Sequence, residues 1–120
     1  MDRRIFLIQD LLSQSLDRCW TVKEMATTVR LSVPHFNKLF RSEIGCSPIA
    51  YLHRIRLAKA RELLSEPGCF LQIKEIALKV GMPNASQFSR EFRKLTGLSP
   101  AGFRKKFAEI EQLKPPSAQE

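Results

Sequence analysis

Two short segments carry hydrogen-bond donors and positive charges at helical spacing. Asn37 and Lys38 precede Arg41 by four and three residues, and Arg90 precedes Arg93 by three. In a helix these spacings place side chains on one face. Asparagine, lysine and arginine can hydrogen-bond the edges of bases or the oxygens of phosphates. Each segment therefore predicts a surface suited to nucleic acid, although a solvated helix face can have the same composition.

The two segments belong to a unit that occurs twice. The copies cover residues 22–48 and 73–100, and both contain a Lys-Glu pair followed two residues later by an alanine. These alanines, Ala26 and Ala77, are 51 residues apart, and the phenylalanines that follow them are 52 apart. Two copies are too few for a solenoid. The repeat favours a protein that contacts two equivalent sites on its partner. It also makes it less plausible that the two polar surfaces are merely solvated helix faces.

The spacing of apolar residues predicts an all-α fold of about seven helices. Apolar residues recur at intervals of three and four, and strict alternation is absent. A helix, a tight turn and a second, basic helix are typical of a helix-turn-helix. We predict two helix-turn-helix subdomains joined by a long linker helix. Their bounds are 4–47 for the first subdomain, 48–66 for the linker, 67–108 for the second subdomain and 109–120 for a disordered tail.

Local signals predict where the helices begin and end. Thr21 followed by Glu24 is a capping box. Gly45, Gly81 and Gly97 are predicted to end helices, because glycine adopts the left-handed conformation without strain. The residues predicted to face inward on the two recognition helices are apolar: Phe36, Leu39, Phe40, Phe88, Phe92 and Leu95.

The charge balance indicates a polyanionic partner, and other function classes lack support. Twenty Lys and Arg against twelve Asp and Glu give a net charge of +8.

Three cysteines without CxxC spacing argue against a disulfide framework or a zinc site and favour reduced thiols. No apolar run is long enough to span a membrane, and the first ten residues are not a secretory signal. We expect no catalytic centre, no cofactor, no membrane contact and a cytoplasmic location.

The chain resembles the DNA-binding domain of the AraC/XylS family of bacterial transcription regulators. The resemblance extends from about Ile5 to Phe107. The residues that carry it most specifically lie in the second copy: Ile76, Ala77, Gly81, Phe88, Ser89, Arg90, Phe92, Arg93, Lys94, Gly97, Ser99, Pro100, Phe103 and Arg104. The resemblance implies sequence-specific binding to double-stranded DNA, with both recognition helices in successive major grooves. Family members often carry a further N-terminal domain, so the chain is either a short regulator or a fragment.

The resemblance also implies roles for individual residues. The base-reading positions are Pro34, Asn37 and Lys38 in the first recognition helix and Ala85, Ser86, Gln87 and Arg90 in the second. The positions for phosphate contacts are Arg41, Arg93 and Lys94. We add Ser89, which lies on the outer face of the second recognition helix. We also add His35, which lies beside the reading face of the first; a phosphate contact or plain exposure is expected there in preference to a catalytic role. Proline and alanine side chains donate no hydrogen bond, so those two positions offer only apolar contact, for example to a thymine methyl. Met82 and Arg30 depart from the family pattern, with Met82 replacing an aromatic residue and Arg30 a small one.

Arg56 is expected to have a structural role. Its position near the junction of the two subdomains predicts an internal ion pair with Glu24 or Glu75 in preference to a contact with DNA. The expected partners are double-stranded DNA and, for an activator, RNA polymerase, and we expect the isolated domain to be monomeric. The alternatives are a helical protein-interaction module and a thiol-based sensor that uses Cys19, Cys46 or Cys69.

Overall fold

The computed structural model describes residues 1–113, which form seven α-helices and no strand. The helices are α1 (Arg3–Gln14), α2 (Val22–Thr28), α3 (Val33–Ile44), α4 (Pro48–Leu64), α5 (Ile73–Lys79), α6 (Ala85–Thr96) and α7 (Pro100–Leu113). The predicted all-α class and number of helices are confirmed. None of these helices is long and apolar enough to cross a membrane.

The last helix is longer than expected. Helix α7 continues to Leu113, so the first five residues of the tail predicted to be disordered are helical. Residues 114–120 of that tail lie outside the described residues. The chain divides into two compact units inside α4, between Arg56 and Leu57. The predicted linker helix is therefore shared, because each half of α4 belongs to a different unit.

The first unit, Met1–Arg56, packs α1, α2, α3 and the beginning of α4 around one core. The buried residues are apolar and recur at helical spacing: Ile5, Ile8, Leu12, Trp20, Met25, Ala26, Val29, Phe36, Phe40 and Leu52. Thr21 is the N-cap of helix α2, and its Oγ1 accepts a hydrogen bond from the Glu24 N–H (3.1 Å). The Glu24 carboxylate accepts from the Thr21 hydroxyl (3.2 Å) and from Arg18 (2.9 Å). These contacts fix the start of α2 against the loop that precedes it.

The second unit begins at Leu57 and packs the end of α4 with α5, α6 and α7. Its core is also apolar: Leu57, Ala60, Leu63, Leu64, Ile76, Ala77, Val80, Met82, Phe88, Phe92 and Phe103. At the start of α5, the Glu75 carboxylate accepts from the backbone N–H of Gln72 (3.2 Å). Each unit thus buries one apolar stripe per helix and leaves the polar stripes outside.

The turn between the two helices of each motif has the same backbone geometry in both units. The residue at its left-handed position differs between them. In each unit the residue after the turn, Leu31 or Met82, donates its N–H to the carbonyl five residues earlier (2.9 and 2.8 Å). Gly81 occupies the left-handed region in the second unit with φ of +88°, and Arg30 occupies it in the first with φ of +60°. A residue with a Cβ atom pays roughly 1–2 kcal/mol in this region, which glycine avoids.

The predicted ion pair of Arg56 with Glu24 or Glu75 is wrong. The Nε of Arg56 donates to the carbonyl oxygen of Leu16 (2.9 Å), and its Nη2 donates to that of Arg18 (2.8 Å). These carbonyls follow the end of α1, where helix geometry supplies no intrahelical donor. Burial lowers the pKa of the Arg56 guanidinium from its ordinary value. The side chain therefore stabilises the loop after α1 by hydrogen bonds to backbone.

Replacing Arg30 by glycine should stabilise the first unit. Removing the left-handed strain stabilises the folded state by about 1–2 kcal/mol. The greater conformational entropy of a glycine in the unfolded chain destabilises it by a smaller amount, about 0.4–1 kcal/mol. We expect a net gain of roughly 0.5–1 kcal/mol, measured by urea unfolding with the fluorescence of Trp20, the single tryptophan.

The matched control is Gly45→Ala in the same unit. Gly45 has φ of +97° and no neighbour within 4 Å of an added Cβ, so the substitution tests strain without a clash. It should lower the urea midpoint by a comparable amount. A lower midpoint for Arg30→Gly would contradict the strain argument.

Candidate nucleic-acid interface

Helix α3 is oriented by two phenylalanines one turn apart. Phe36 and Phe40 are fully buried, with ring centroids 5.7 Å apart, and Tyr51 packs edge-on against Phe40 at 5.5 Å. Ser32 caps the helix by accepting a hydrogen bond from the His35 N–H (3.3 Å). The opposite face of α3 is consequently turned away from the core of its unit.

Helix α6 is built in the same way. Phe88 and Phe92 are fully buried, with centroids 5.9 Å apart, and Phe103 packs edge-on against Phe92 at 5.4 Å. Asn84 caps the helix, and its Oδ1 accepts from the Gln87 N–H (3.0 Å). Each helix ends at a glycine in the left-handed conformation, Gly45 or Gly97, as predicted for both. The repeated sequence therefore produces a repeated local structure.

One inward assignment, that of Leu95, is wrong, and that of Leu39 holds only in part. Leu95 was predicted to be buried, but 52% of its surface is exposed. It lies in the last turn of α6, where the helix extends beyond the core and borders an open cavity that Leu98 and Phe107 also line. Leu39 is half-buried and packs at the edge of the core in the first unit. Helical periodicity places both leucines near the buried face, but at these points the core is not wide enough to cover them.

The predicted base-reading residues lie on the outer faces of the two recognition helices. Asn37 is half-buried, and the others are exposed: Pro34, Lys38, Ala85, Ser86, Gln87 and Arg90. Pro34 lies in the first turn of α3, and residues 85–87 form the first turn of α6. The first turn of a helix is the part that base-reading helix-turn-helix motifs direct at base edges. Each unit therefore presents one such set on its own surface.

The predicted phosphate-binding residues lie on the same two helices. Ser89 is half-buried, whereas His35, Arg41, Arg93 and Lys94 are exposed. Within residues 1–113 the basic side chains of α3 and α6 form no ion pair with an acidic side chain: Lys38, Arg41, Arg90, Arg93 and Lys94. Their charges are therefore not neutralised by the described part of the protein, and they are available to bind an anion.

Possible metal ligands are dispersed in the described residues. No group of three or more His, Cys, Asp and Glu side chains within residues 1–113 is arranged to hold a metal ion. The cysteines are free thiols; Cys19 is exposed, and Cys46 and Cys69 are half-buried.

Comparison with known sequences points to gene regulation. Residues 25–106 match a family model described as a helix-turn-helix domain. The probable transcriptional regulator LumQ of Photobacterium leiognathi is 32% identical over 97 residues, which cover 81% of this chain and 38% of that protein. The HTH-type transcriptional regulator MtrA of Neisseria gonorrhoeae is 32% identical over 106 residues, or 87% of this chain and 34% of that protein. The chain thus spans little more than a third of the length of these relatives.

Solved structures show the same fold. The C-terminal domain of AraT, a response regulator from Geobacillus stearothermophilus, matches with a TM-score of 0.81 and 28% identity, covering 88% of this chain and 86% of that one. The DNA-binding domain of AdpA, a global transcriptional factor, was solved in complex with a target DNA. It matches with a TM-score of 0.86 over 92% of this chain and 98% of that one. At 22% identity this second likeness shows the fold alone.

Removing the cap of α6 should loosen the turn that carries residues 85–87. Asn84→Ala deletes the acceptor of the Gln87 N–H and should cost about 1 kcal/mol of stability. Amide hydrogen exchange should accelerate at Gln87, and thermal unfolding should occur at a lower temperature. Asn84→Asp keeps an acceptor oxygen and serves as the control, with exchange near that of the parent protein. Unchanged exchange at Gln87 in Asn84→Ala would show that the cap does not order this turn.

Proposed function

The chain belongs to the AraC/XylS family of transcription regulators. We propose that it binds specific double-stranded DNA through α3 and α6. The observation that carries the proposal is the repeated outer face. Each recognition helix buries two phenylalanines and directs unpaired donors and cations away from its core. Phosphate oxygens and base edges are the acceptors that suit such a face. A helical protein-interaction module does not require two basic faces of the same construction.

The base-reading chemistry differs between the two helices. Arg90 is suited to bidentate hydrogen bonds with O6 and N7 of guanine, and Asn37 is suited to N6 and N7 of adenine. Lys38 can reach guanine acceptors from the same face of α3. Pro34 and Ala85 have no side-chain donor, and we propose that they contact thymine methyl groups. Because the two sets are not equivalent, the two halves of the DNA site should have different sequences.

Phosphate contacts would fix each helix in its groove. We assign them to the basic and polar residues beside the reading positions: His35, Arg41, Ser89, Arg93 and Lys94. Helix α6 carries three exposed cations, Arg90, Arg93 and Lys94, against Lys38 and Arg41 on α3. We therefore propose that the second unit binds the DNA backbone more firmly and that the first unit has the sharper base preference.

One chain carries both reading helices, so we propose that a monomer occupies two successive major-groove segments. These segments are about 34 Å, or about 10 bp, apart on one face of the duplex. As an activator it would also contact RNA polymerase, and its place of action would be the bacterial cytoplasm, on the nucleoid. The proposal assigns no catalytic step to the chain.

The salt dependence of DNA binding tests the proposal. Each neutralised phosphate contributes a slope of about −0.9 to the plot of log K against log salt. Several Lys and Arg contacts should give a slope of roughly −4 to −8, measured by fluorescence anisotropy with a duplex selected from a random pool. A slope near zero would exclude binding through the phosphates and favour the protein-interaction alternative.

Two alanine variants in the same assay separate the proposed roles. Arg90→Ala should cost about 1–3 kcal/mol on the selected duplex and relax the preference at one or two base pairs. Arg41→Ala should weaken all duplexes almost equally and flatten the salt slope by about 1. Equal losses on selected and random duplexes for Arg90→Ala would rule out its base-reading role.

The spacing of the DNA site tests the two-groove arrangement. Inserting about 5 bp, half a helical repeat, between the two half-elements turns one of them to the opposite side of the duplex. Affinity should then fall to that of a duplex with one scrambled half-element, which is the control. The two-groove model is wrong if the insertion leaves affinity unchanged while titration gives one protein per site.

A further inference from the structure

The second unit contains a cavity that lies outside the reading face of α6. The segment of residues 64–70 forms one wall and α7 forms the other wall of this open cavity of about 340 Å³. This volume is at the small end of the range for ligand sites, about 300–1,000 Å³. Its apolar lining includes Leu64, Pro67, Phe70, Phe107 and Ala108. Phe70 is 89% exposed and Phe107 is 37% exposed, so the cavity carries aromatic surface that the described fold does not cover.

Arg104 gives this apolar cavity a specific polar group. The residue lines the cavity, and its Nη2 atom is buried without a hydrogen-bond partner among the described residues. A buried donor without an acceptor costs about 1–3 kcal/mol, and more when it is charged. A carboxylate is the acceptor whose geometry and charge suit a guanidinium best. A ligand that brings a carboxylate into the cavity would remove this cost.

An acidic residue restricts the charge of such a ligand. Glu66 also lines the cavity, two residues after the end of α4. Its carboxylate would repel a second negative charge on the ligand. A monocarboxylate is therefore favoured over a phosphate ester or a dicarboxylate. The exposed phenylalanines favour a flat aromatic body, which can stack on their rings.

We propose that this cavity is a binding site for an aromatic monocarboxylate, with Arg104 as its carboxylate-binding residue. The site does not depend on the proposed reading of DNA, because it is built from α7 and the segment after α4. Three aromatic rings in successive contact nevertheless connect the cavity with α6. The centroids of Phe107 and Phe103 are 5.1 Å apart, and those of Phe103 and Phe92 are 5.4 Å apart. A ligand against Phe107 would contact the aromatic row that orients the recognition helix.

Titration of the whole chain with three matched probes tests the proposal by heteronuclear NMR. The probes are 2-naphthoate, 2-naphthamide and 2-naphthyl phosphate, which share one ring system. We expect 2-naphthoate to bind saturably, with amide shifts concentrated at residues 64–70 and 104–112. The neutral amide and the phosphate should each bind at least tenfold more weakly. Equal or tighter binding by either, shifts centred elsewhere, or no saturable binding would overturn the proposal.

Variants assign the recognition to Arg104. Arg104→Gln should weaken 2-naphthoate at least tenfold, whereas Lys105→Gln removes the same charge from the exposed side of α7 and should leave binding unchanged. Equal effects of the two substitutions would show that Arg104 acts only through its general positive charge, which would contradict its assignment as the carboxylate-binding residue. Ala108→Phe fills the cavity, keeps Arg104 and should abolish binding. If Arg104→Gln fails to fold, Ala108→Phe decides alone, and retained binding in that variant contradicts the site.

Discussion

The burial of two phenylalanines, one helical turn apart, is the interaction on which each unit depends. Phe36 and Phe40 in α3, and Phe88 and Phe92 in α6, have no solvent-exposed surface. Losing one such side chain to alanine typically costs about 3–5 kcal/mol, against about 1 kcal/mol for a helix cap. The aromatic pair therefore sets the rotation of each helix about its axis. The outward direction of the polar residues follows from that rotation.

The two units use one scaffold with different surfaces. In each, a Ser-Pro pair opens the helix after the recognition helix, and an aromatic residue four positions beyond the serine packs edge-on against the second buried phenylalanine. That residue is Tyr51 in the first unit and Phe103 in the second. The turns differ, because Arg30 carries in the left-handed conformation the strain that Gly81 avoids. The outer faces also differ in donors and charge, so the two units share the plan of the core but not the composition of the outer face.

Much of the local structure was predictable because it depends on neighbours in the chain. Helical periodicity, the Thr21 cap and the left-handed glycine at position 97 are all encoded within one or two turns of sequence. The outward placement of the candidate residues on α3 and α6 was predictable for the same reason, since the phenylalanines define the inner face. The family assignment rests on these same local motifs, and the comparisons with known proteins agree with it.

Contacts between distant segments were not predictable in this way. The sequence by itself determined seven helices, their caps and the two polar faces, because each of these follows from residues within a few positions of one another. Only the tertiary structure decided that Arg56 binds the carbonyls of Leu16 and Arg18, some forty residues away. It also left Leu95 outside the core and gave Arg104 a cavity beside α7. Periodicity names the side of a helix that faces inward, but the extent of the core along that side depends on the elements packed against it.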